Sequence, residues 1–192
     1  TVEGDALNEL RNLPQIIGFN NQKAKQIGLR FFNSFVQDIV FTDSLEEAEL
    51  IKLFNNVYRD INFSIGNIFN DIAKYYGLNG YQTIKAANHN YKRSNIAKPG
   101  FVGGPCLEKD SYILCQNIEN EILKNFIISS REYNYILENQ IIDWVSKNFD
   151  KSDKILLTGM AFKGRPATGD LRGSNSINIL NGLKRLNFSE IS

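Results

Sequence analysis

The loop of residues 99–106 carries the residue types best suited to chemistry in this sequence. It has glycine at positions 100, 103 and 104, and glycine lets a backbone approach a ligand closely and adopt positive φ. The loop delivers Cys106 to the predicted first turn of a helix, where unpaired N–H groups and the helix dipole stabilise a thiolate. Asp110 follows one helical turn later, on the same face. A nucleophilic sulfur beside a carboxylate that positions water or a proton suits covalent catalysis.

The spacing alone supports a structural interpretation of the same loop about equally well. Cys106 is then a small buried hydrophobic residue, and the glycines only form a turn. Cys115 lies inside the predicted helix and away from glycines, so burial is its favoured interpretation. Chemistry at Cys106 therefore needs support from elsewhere in the chain.

A second candidate pair is Lys52 and Asn56, one helical turn apart on a predicted long helix. An ammonium and an amide on one helix face can stabilise a developing oxyanion. Lys52 has apolar neighbours, including Leu50 and Phe54, and we expect them to enclose it partly. Taken alone, the pair is better explained as a surface lysine with an incidental neighbour.

The helix that carries this pair is the clearest element in the sequence. Residues 42–44 supply capping side chains, and Glu46 and Glu47 follow in the first turn, where the dipole favours negative charge. The pattern predicts a helix over about 44–76, in the middle of a domain or at a subunit interface. Core packing is expected to explain most of its apolar residues, which are Leu50, Ile51, Phe54, Val57, Tyr58, Ile61, Ile65, Ile68, Phe69 and Ile72.

The other predicted elements lie on both sides of this helix. Before it, short strands at 14–18 and 38–41 flank a helix over 22–37, as at the edge of an α/β sheet. After it come a helix over 80–88, a loop over 90–105, a helix near Cys106 and a long helix over 120–148. A buried strand at 154–159 and a helix opening at Ser174 then start a second α/β unit. The fold class is mainly α with flanking α/β pieces.

Composition excludes several classes of function. The 22 Lys and Arg residues balance 21 Asp and Glu residues, which gives no electrostatic reason to expect binding to nucleic acid or to an anionic membrane. No stretch approaches the ~20 apolar residues that cross a bilayer. Two cysteines and one histidine are too few for a zinc site or a disulfide scaffold, and a reduced, cytoplasmic protein is expected. The chain begins without methionine and ends within a predicted element, so we interpret it as a fragment.

Four groups of residues together resemble one protein family. In order along the chain they are TVEGDA at 1–6, ELIKLFNN at 49–56, GFVGGPCLEKD at 100–110, and AFKG with GDLRGS between 161 and 174. This series resembles the UDP-glucose/GDP-mannose dehydrogenase family from the end of its first domain to the start of its third. The resemblance implies three segments: residues 1–43 as the C-terminal edge of an NAD-binding domain, 44–152 as a helical dimerisation domain, and 153–192 as the start of a truncated, Rossmann-like UDP-sugar-binding domain.

The family oxidises the C6 alcohol of a nucleotide sugar to a carboxylate with two NAD, often for polysaccharide biosynthesis. The resemblance implies that Cys106 attacks the C6 aldehyde, giving a thiohemiacetal, then a thioester that water hydrolyses. Lys52 would stabilise charge on the C6 oxygen, while Asn56 and Asp110 would fix water and polar groups. UDP-glucose, UDP-GlcNAc, UDP-ManNAc and a GDP-sugar are all compatible, and the cysteine loop looks closest to the acetylamino-sugar branch.

The resemblance also implies residues that bind substrate. Glu3 would lie near the sugar nucleotide, Arg93 would reach into the neighbouring subunit's sugar site, and Lys163 would contact substrate across the domain cleft. Phe101 and Gly103 belong to the cysteine loop and would line the same site. Two further residues match a family loop that is either adjacent to substrate or a structural ion pair, and these are Asp170 and Arg172.

The resemblance implies a homodimer through the central helical domain and NAD bound by an N-terminal domain that these residues lack. No Gly-x-Gly-x-x-Gly follows a strand in the chain, so no cofactor-binding residue and no metal ligand are assigned, and the fragment alone is expected to be inactive. Two alternatives stay open. One is a non-enzymatic dimerisation or scaffolding module. The other is a hydroxy-acid-type dehydrogenase that uses Lys52 and Asn56, with Cys106 incidental.

Overall fold

The computed structural model describes residues 5–165 and 167–192. Within these residues the chain divides into two compact units. The first comprises the residues up to Asn55 with residues 164–168, and the second comprises residues 56–163 and 169–192. The described elements are mainly helical, with one short parallel strand pair. The predicted fold class, mainly α with α/β pieces, is confirmed.

The first unit contains the α/β piece. Helix α1 (Ala6–Asn12) leads to strand β1 (Gln15–Ile17), and helix α2 (Gln22–Phe32) leads to strand β2 (Ile39–Phe41). The strands pair in parallel, with Ile16 opposite Val40. Helix α2 ends earlier than the predicted residue 37, because Asn33 and Ser34 favour local side-chain hydrogen bonds over helix. Ser34 Oγ donates to the carbonyl of Phe31 at 2.7 Å.

Helix α3 (Leu45–Tyr75) confirms the long predicted helix almost residue for residue. Its start is a variant of the capping box: the Glu47 amide donates to Ser44 Oγ at 3.1 Å, and Glu47 Oε2 accepts at 2.8 Å from the amide of Asp43, the residue before the N-cap. Its end is set by Gly77, which has a φ of 68°, and by the Leu78 amide, which bonds the carbonyl of Ala73. This is the usual way in which a glycine terminates a helix.

The buried face of α3 is polar, which is the reverse of the expected core packing. Its buried residues include Asn56, Asp60, Ser64 and Asn67, at three- and four-residue steps, whereas only Val57 of the predicted apolar set is buried. The prediction that core packing explains most of the apolar residues is therefore wrong. The inward face is taken by polar groups, of which Asn56, Asp60 and Asn67 bond to other helices of the chain. Five residues of the apolar set are exposed, namely Leu50, Phe54, Tyr58, Phe69 and Ile72.

The second unit adds four more helices at the predicted places: α4 (Gly80–Ala87), α5 (Leu107–Cys115), α6 (Glu121–Asn148) and α7 (Asn175–Arg185). Helix α6 packs on both α5 and α7. Its N-cap, Asn120, accepts hydrogen bonds from the amides of Ile122 and Leu123, as a strong capping residue should. The main hydrophobic cluster lies between α6 and α7 and consists of Val145, Ile179, Leu183 and Phe188.

The predicted buried strand at 154–159 is wrong in its extent. The structure has a single parallel bridge between Ile155 and Ile191, and Leu156 is 73% exposed. The physical reason is the alternation of an extended segment that has one packed side. Ile155 and Leu157 pack against the α6–α7 cluster, while Leu156 points away from it.

Candidate active site

Cys106 stands at the N-cap of α5, with its backbone in the right-handed helical region (φ −89°, ψ −52°) and without a side-chain capping bond. Its thiol is free and the residue is exposed. The interpretation of Cys106 as a buried hydrophobic residue is thus wrong. Cys115, at the end of the same helix, is 2% exposed, and its predicted burial is confirmed. The two cysteines of this chain therefore occupy opposite environments, and only Cys106 is accessible to a ligand.

Asp110 lies one turn into α5 and joins this helix to α3. The Asp110 amide bonds the carbonyl of Cys106 at 3.0 Å, and Asp110 Oδ2 accepts from Asn56 Nδ2 at 2.5 Å. Both side chains are buried, at 3% and 7% exposure. A buried carboxylate held by an amide keeps one orientation, because each group satisfies the other. The structure thus brings together two of the predicted catalytic residues, which are 54 positions apart.

Lys109 is a site residue that sequence reasoning did not assign. Its ammonium bonds Asp110 Oδ1 at 2.8 Å while the side chain stays 59% exposed. The hydrogen bond to Asp110 raises the pKa of Lys109; burial acts against it, and the charges of Asp110 and Cys106 add to the increase. Its position within the LEKD segment was the available signal. A lysine between a cysteine and a carboxylate adds positive charge near the sulfur.

Lys52 lies one turn before Asn56 on α3, in the first of the two units. It is exposed, so the expected partial enclosure is wrong. Its neighbours Leu50 and Phe54 are 41% and 55% exposed and hence do not build an apolar wall around it.

The predicted substrate-binding residues differ in what surrounds them. Arg93 is exposed and lies over the ring of Tyr91, with 5.0 Å from Cζ to the ring centroid. Phe101 is 50% exposed. Gly103 has no room for a side chain, because a Cβ there would collide with the carbonyl of Gly173. Glu3 lies outside the described residues.

Lys163, Asp170 and Arg172 each have a contact with a residue close by in the chain. Lys163 Nζ lies 5.4 Å from the ring centroid of Phe162, and that ring packs against Gly104 of the cysteine loop. Asp170 and Arg172 form a bidentate pair, with 2.6 Å between Nη2 and Oδ2. The Arg172 side chain is 75% exposed, whereas that of Asp170 is 8% exposed.

Residues 46–135 match the family model described as the UDP-glucose/GDP-mannose dehydrogenase family, central domain. The UDP-N-acetyl-D-mannosamine dehydrogenase of Methanococcus vannielii is 33% identical over 190 residues, which are 96% of this chain and 43% of that protein. The chain belongs to the UDP-glucose/GDP-mannose dehydrogenase family. The match includes all four predicted catalytic residues, namely Lys52, Asn56, Cys106 and Asp110.

Two solved structures support the same membership. The UDP-D-ManNAc dehydrogenase of Pyrococcus horikoshii has a TM-score of 0.83 at 30% identity and covers 100% of this chain and 46% of that one. The UDP-N-acetyl-mannosamine dehydrogenase of Staphylococcus aureus has a TM-score of 0.81 at 28% identity, with 100% and 45% coverage. The chain therefore spans less than half the length of these relatives.

The family segment also contains a buried ion pair that sequence reasoning missed. Arg131 Nη1 bonds Asp60 Oδ1 at 2.9 Å, and both side chains are essentially inaccessible, at 0% and 1% exposure. Asn134 and Ser111 donate to the same carboxylate. Burial raises the pKa of Asp60, although Arg131 and the two hydrogen bonds oppose this. The signal was available in the sequence, because Asp60 and Asn67 on α3 repeat at helical spacing, as do Arg131 and Asn134 on α6.

Among the described residues, no group of three or more His, Cys, Asp or Glu side chains is arranged to bind a metal ion. None of the described helices is long and apolar enough to cross a membrane.

Proposed function

We propose that this chain is the central part of an NAD-dependent nucleotide-sugar 6-dehydrogenase, which oxidises the C6 alcohol of a UDP-sugar to the uronic acid for polysaccharide biosynthesis. One observation carries the proposal. An accessible Cys106 begins the helix whose next turn carries Asp110, and Asp110 is tied to Asn56 on α3. A nucleophile, a fixed carboxylate and a fixed amide in this order suit covalent oxidation of an aldehyde.

We propose UDP-N-acetyl-D-mannosamine as the first substrate to test. The relative from Methanococcus vannielii and the proteins of known structure from Pyrococcus horikoshii and Staphylococcus aureus carry this sugar in their names. UDP-glucose and UDP-GlcNAc stay as alternatives. An enzyme distinguishes such close analogues only through the contacts that it makes with the groups in which they differ.

The proposed role of Cys106 begins with its thiolate. Sγ adds to the C6 aldehyde carbon, and the carbonyl oxygen becomes an alkoxide whose charge Lys52 is proposed to stabilise. The second oxidation converts this thiohemiacetal to a thioester. Water then adds to the thioester carbonyl, the C–S bond breaks and the sulfur leaves as the thiolate, so that Cys106 is regenerated. Asn56 and Asp110 are proposed to orient this water.

NAD accepts the electrons of both oxidations when it is bound. The residues of this chain supply no Gly-x-Gly-x-x-Gly turn after a strand, so they do not fit a dinucleotide site. We therefore assign no residue here to NAD and propose that a domain outside these residues binds it. A chain with residues 1–192 alone should then be inactive. The free thiols of Cys106 and Cys115 support a reducing, cytoplasmic location.

We also propose that α3 forms a homodimer interface. Its exposed apolar residues follow one another at steps of four, four, eleven and three residues, which keeps them on one face of the helix, and such stripes are usually covered by another surface. A homodimer covers the stripe symmetrically, with the same helix of a second copy. The exposed residues of this stripe are Leu50, Phe54, Tyr58, Phe69 and Ile72.

The test is NADH production by the full-length protein that contains these residues, on a panel of UDP- and GDP-sugars. Two NADH per sugar with one substrate would support the four-electron oxidation and name the substrate. One NADH per sugar would contradict the thioester step. No turnover on any sugar would favour a scaffolding module.

The variant Cys106→Ser separates the proposed chemistry from that of a hydroxy-acid-type dehydrogenase. It should stop the reaction before the second oxidation, because a serine hydroxyl is a far weaker nucleophile than a thiolate. Cys115→Ser is the matched control and should keep normal turnover, since that thiol is buried at the far end of α5. Near-normal turnover by Cys106→Ser would contradict the cysteine mechanism.

A further inference from the structure

The loop before Cys106 is irregular, yet its backbone is held by buried side chains from two helices. Asn67 on α3 forms two bonds with a single residue of the loop: the Gly100 amide donates to Asn67 Oδ1 at 2.8 Å, and Asn67 Nδ2 donates to the Gly100 carbonyl at 3.1 Å. The Asn67 side chain is fully buried. It therefore satisfies both backbone groups of Gly100 in the way that a neighbouring strand would.

Arg131 on α6 holds the same loop two residues further on. Its Nη2 donates to the Val102 carbonyl at 3.0 Å, while its Nη1 bonds Asp60 at 2.9 Å. The planar guanidinium can make both contacts at once, because its donors point in fixed directions. Asn134 links Asn67 to the Arg131–Asp60 pair. It accepts a hydrogen bond from Asn67 Nδ2 at 2.9 Å and donates one to Asp60 Oδ1 at 3.0 Å.

The last loop residues are held from another side. The Gly104 amide donates to the Gly173 carbonyl at 2.8 Å. Gly104 has a φ of 102°, and Gly103 and Gly104 leave no space for a Cβ against Gly173 and Phe162 respectively. The backbone is thus fixed at positions 100, 102 and 104, the last of them two residues before Cys106.

We propose that Asn67 and Arg131 are positioning residues for Cys106: they fix the backbone path of the glycine loop and, through it, the position of the Cys106 thiol. This rests on the proposed function, in which Cys106 is the nucleophile. Both side chains act through backbone groups of the loop.

Stability alone gives a poor reason for such a network. A buried ion pair and buried amides can often be replaced by apolar residues of similar volume at little or no cost in folding. Here the polar atoms bond the backbone of a glycine-containing loop, which has wide conformational freedom without them. Control of that loop matters for catalysis, because a displacement of about 1 Å at a reacting group can cost about 100-fold in rate.

The experiment compares Asn67→Ala with Asn62→Ala in the full-length protein. Asn62 is the matched control, because it lies on the same helix and bonds the backbone of residues 95 and 97. These residues precede the cysteine loop and lie further from Cys106 along the chain. We expect Asn67→Ala to lower kcat by about 10- to 100-fold while KM changes by less than about threefold, since substrate still binds and only the attack is misaligned. Asn62→Ala should stay within about twofold of wild type in both constants.

Arg131→Lys is the second variant and keeps the proposal testable if Asn67→Ala does not fold. Lysine retains a cation beside Asp60 and loses the forked reach to Val102. A lower kcat with an unchanged KM is expected again. Equal losses in Asn67→Ala and Asn62→Ala, or a kcat that matches wild type once it is corrected for the folded fraction, would overturn the proposal.

Hydrogen exchange of the Gly100 and Gly104 amides separates this proposal from the proposed function. The Gly100 amide should exchange at least about tenfold faster in Asn67→Ala than in wild type, because its acceptor is gone. If no sugar is turned over by the wild type, the proposed function fails, and the exchange data still decide whether these residues hold the loop. Unchanged exchange at both amides would overturn the positioning role.

Discussion

Replacement of Arg131 by methionine tests how the buried polar face of α3 is held. Arg131 is 0% exposed and its partner Asp60 is 1% exposed, so the variant leaves a carboxylate inside the protein without its cation. Methionine fills much of the volume of the arginine stem, and the change therefore removes charge and hydrogen bonds more than packing.

The expected loss follows from these contacts. Removal of one partner of a buried ion pair costs about 3–5 kcal/mol, because the other charge stays buried and uncompensated. This is a large part of the roughly 5–15 kcal/mol that separates folded from unfolded domains. The double variant Arg131→Met/Asp60→Asn should be more stable than Arg131→Met alone, since the uncompensated charge is gone and Asn134 keeps an acceptor at residue 60.

The loss should also depend on pH. Burial already raises the pKa of Asp60 above its ordinary value of 3.8, and loss of Arg131 raises it further. The native state then binds more protons than the unfolded state, so the stability of the variant decreases as pH rises from about 4 through the folded pKa. The deficit relative to wild type is thus smaller near pH 4 than near pH 7.

Urea unfolding measures this directly, with fluorescence of the single tryptophan, Trp144 on α6, as the signal. Gln140→Ala is a suitable control, because Gln140 lies on the same helix and its bond to Asp71 is exposed. A loss below about 1 kcal/mol for Arg131→Met would refute the reasoning, because that is the range of exposed ion pairs. A double variant no more stable than Arg131→Met would refute it as well.

Three further predictions concern packing, titration and assembly. Leu183→Ala should lower the free energy of unfolding by about 2–5 kcal/mol, measured by urea unfolding, since Leu183 is fully buried between α6 and α7; a loss below about 1 kcal/mol would mean that the site collapses around the smaller side chain. Burial and the hydrogen bond to Asp71 raise the pKa of Tyr133 to about 12, so Tyr133→Phe should lower the free energy of unfolding by about 1 kcal/mol near neutral pH. This difference between variant and wild type should vanish as pH rises from about 10 to about 12. A constant difference in unfolding experiments across that range would contradict the prediction. Tyr58→Lys and Phe69→Lys should shift the protein from dimer to monomer in sedimentation, because each buries an unpaired charge in the proposed α3 interface, and an unchanged dimer would place the interface elsewhere.

Local patterns in the sequence were enough to predict the helices. The capping box at Ser44 and Glu47 and the glycine stop at Gly77 involve residues within a few positions of each other, so they are readable without a fold. The same holds for the delivery of Cys106 to the first turn of α5. The strand at 154–159 was overestimated, because an apolar run does not reveal how many neighbouring segments will pair with it.

The candidate site could be predicted in part. Cys106 and Asp110 share a helix, and Lys52 and Asn56 share another, so each pair follows from helical spacing. The bond between Asn56 and Asp110 joins residues 54 positions apart, and no local pattern contains that contact. The exposure of Lys52 also depends on tertiary contacts. Apolar residues near it in sequence enclose its side chain only if other parts of the protein bury those residues.

The sequence by itself determined which segments are helical, where the long helix α3 begins and ends, and which loop carries the thiol, because these depend on neighbours in the chain. Only the tertiary structure decided which face of α3 turns inward. The apolar stripe predicted an inward apolar face, and instead Asp60 and Asn67 are buried against Arg131 and Asn134 of α6. Hydrophobic periodicity predicts that one face of a helix is buried against another surface. It does not predict whether that surface belongs to the same chain or to a second one.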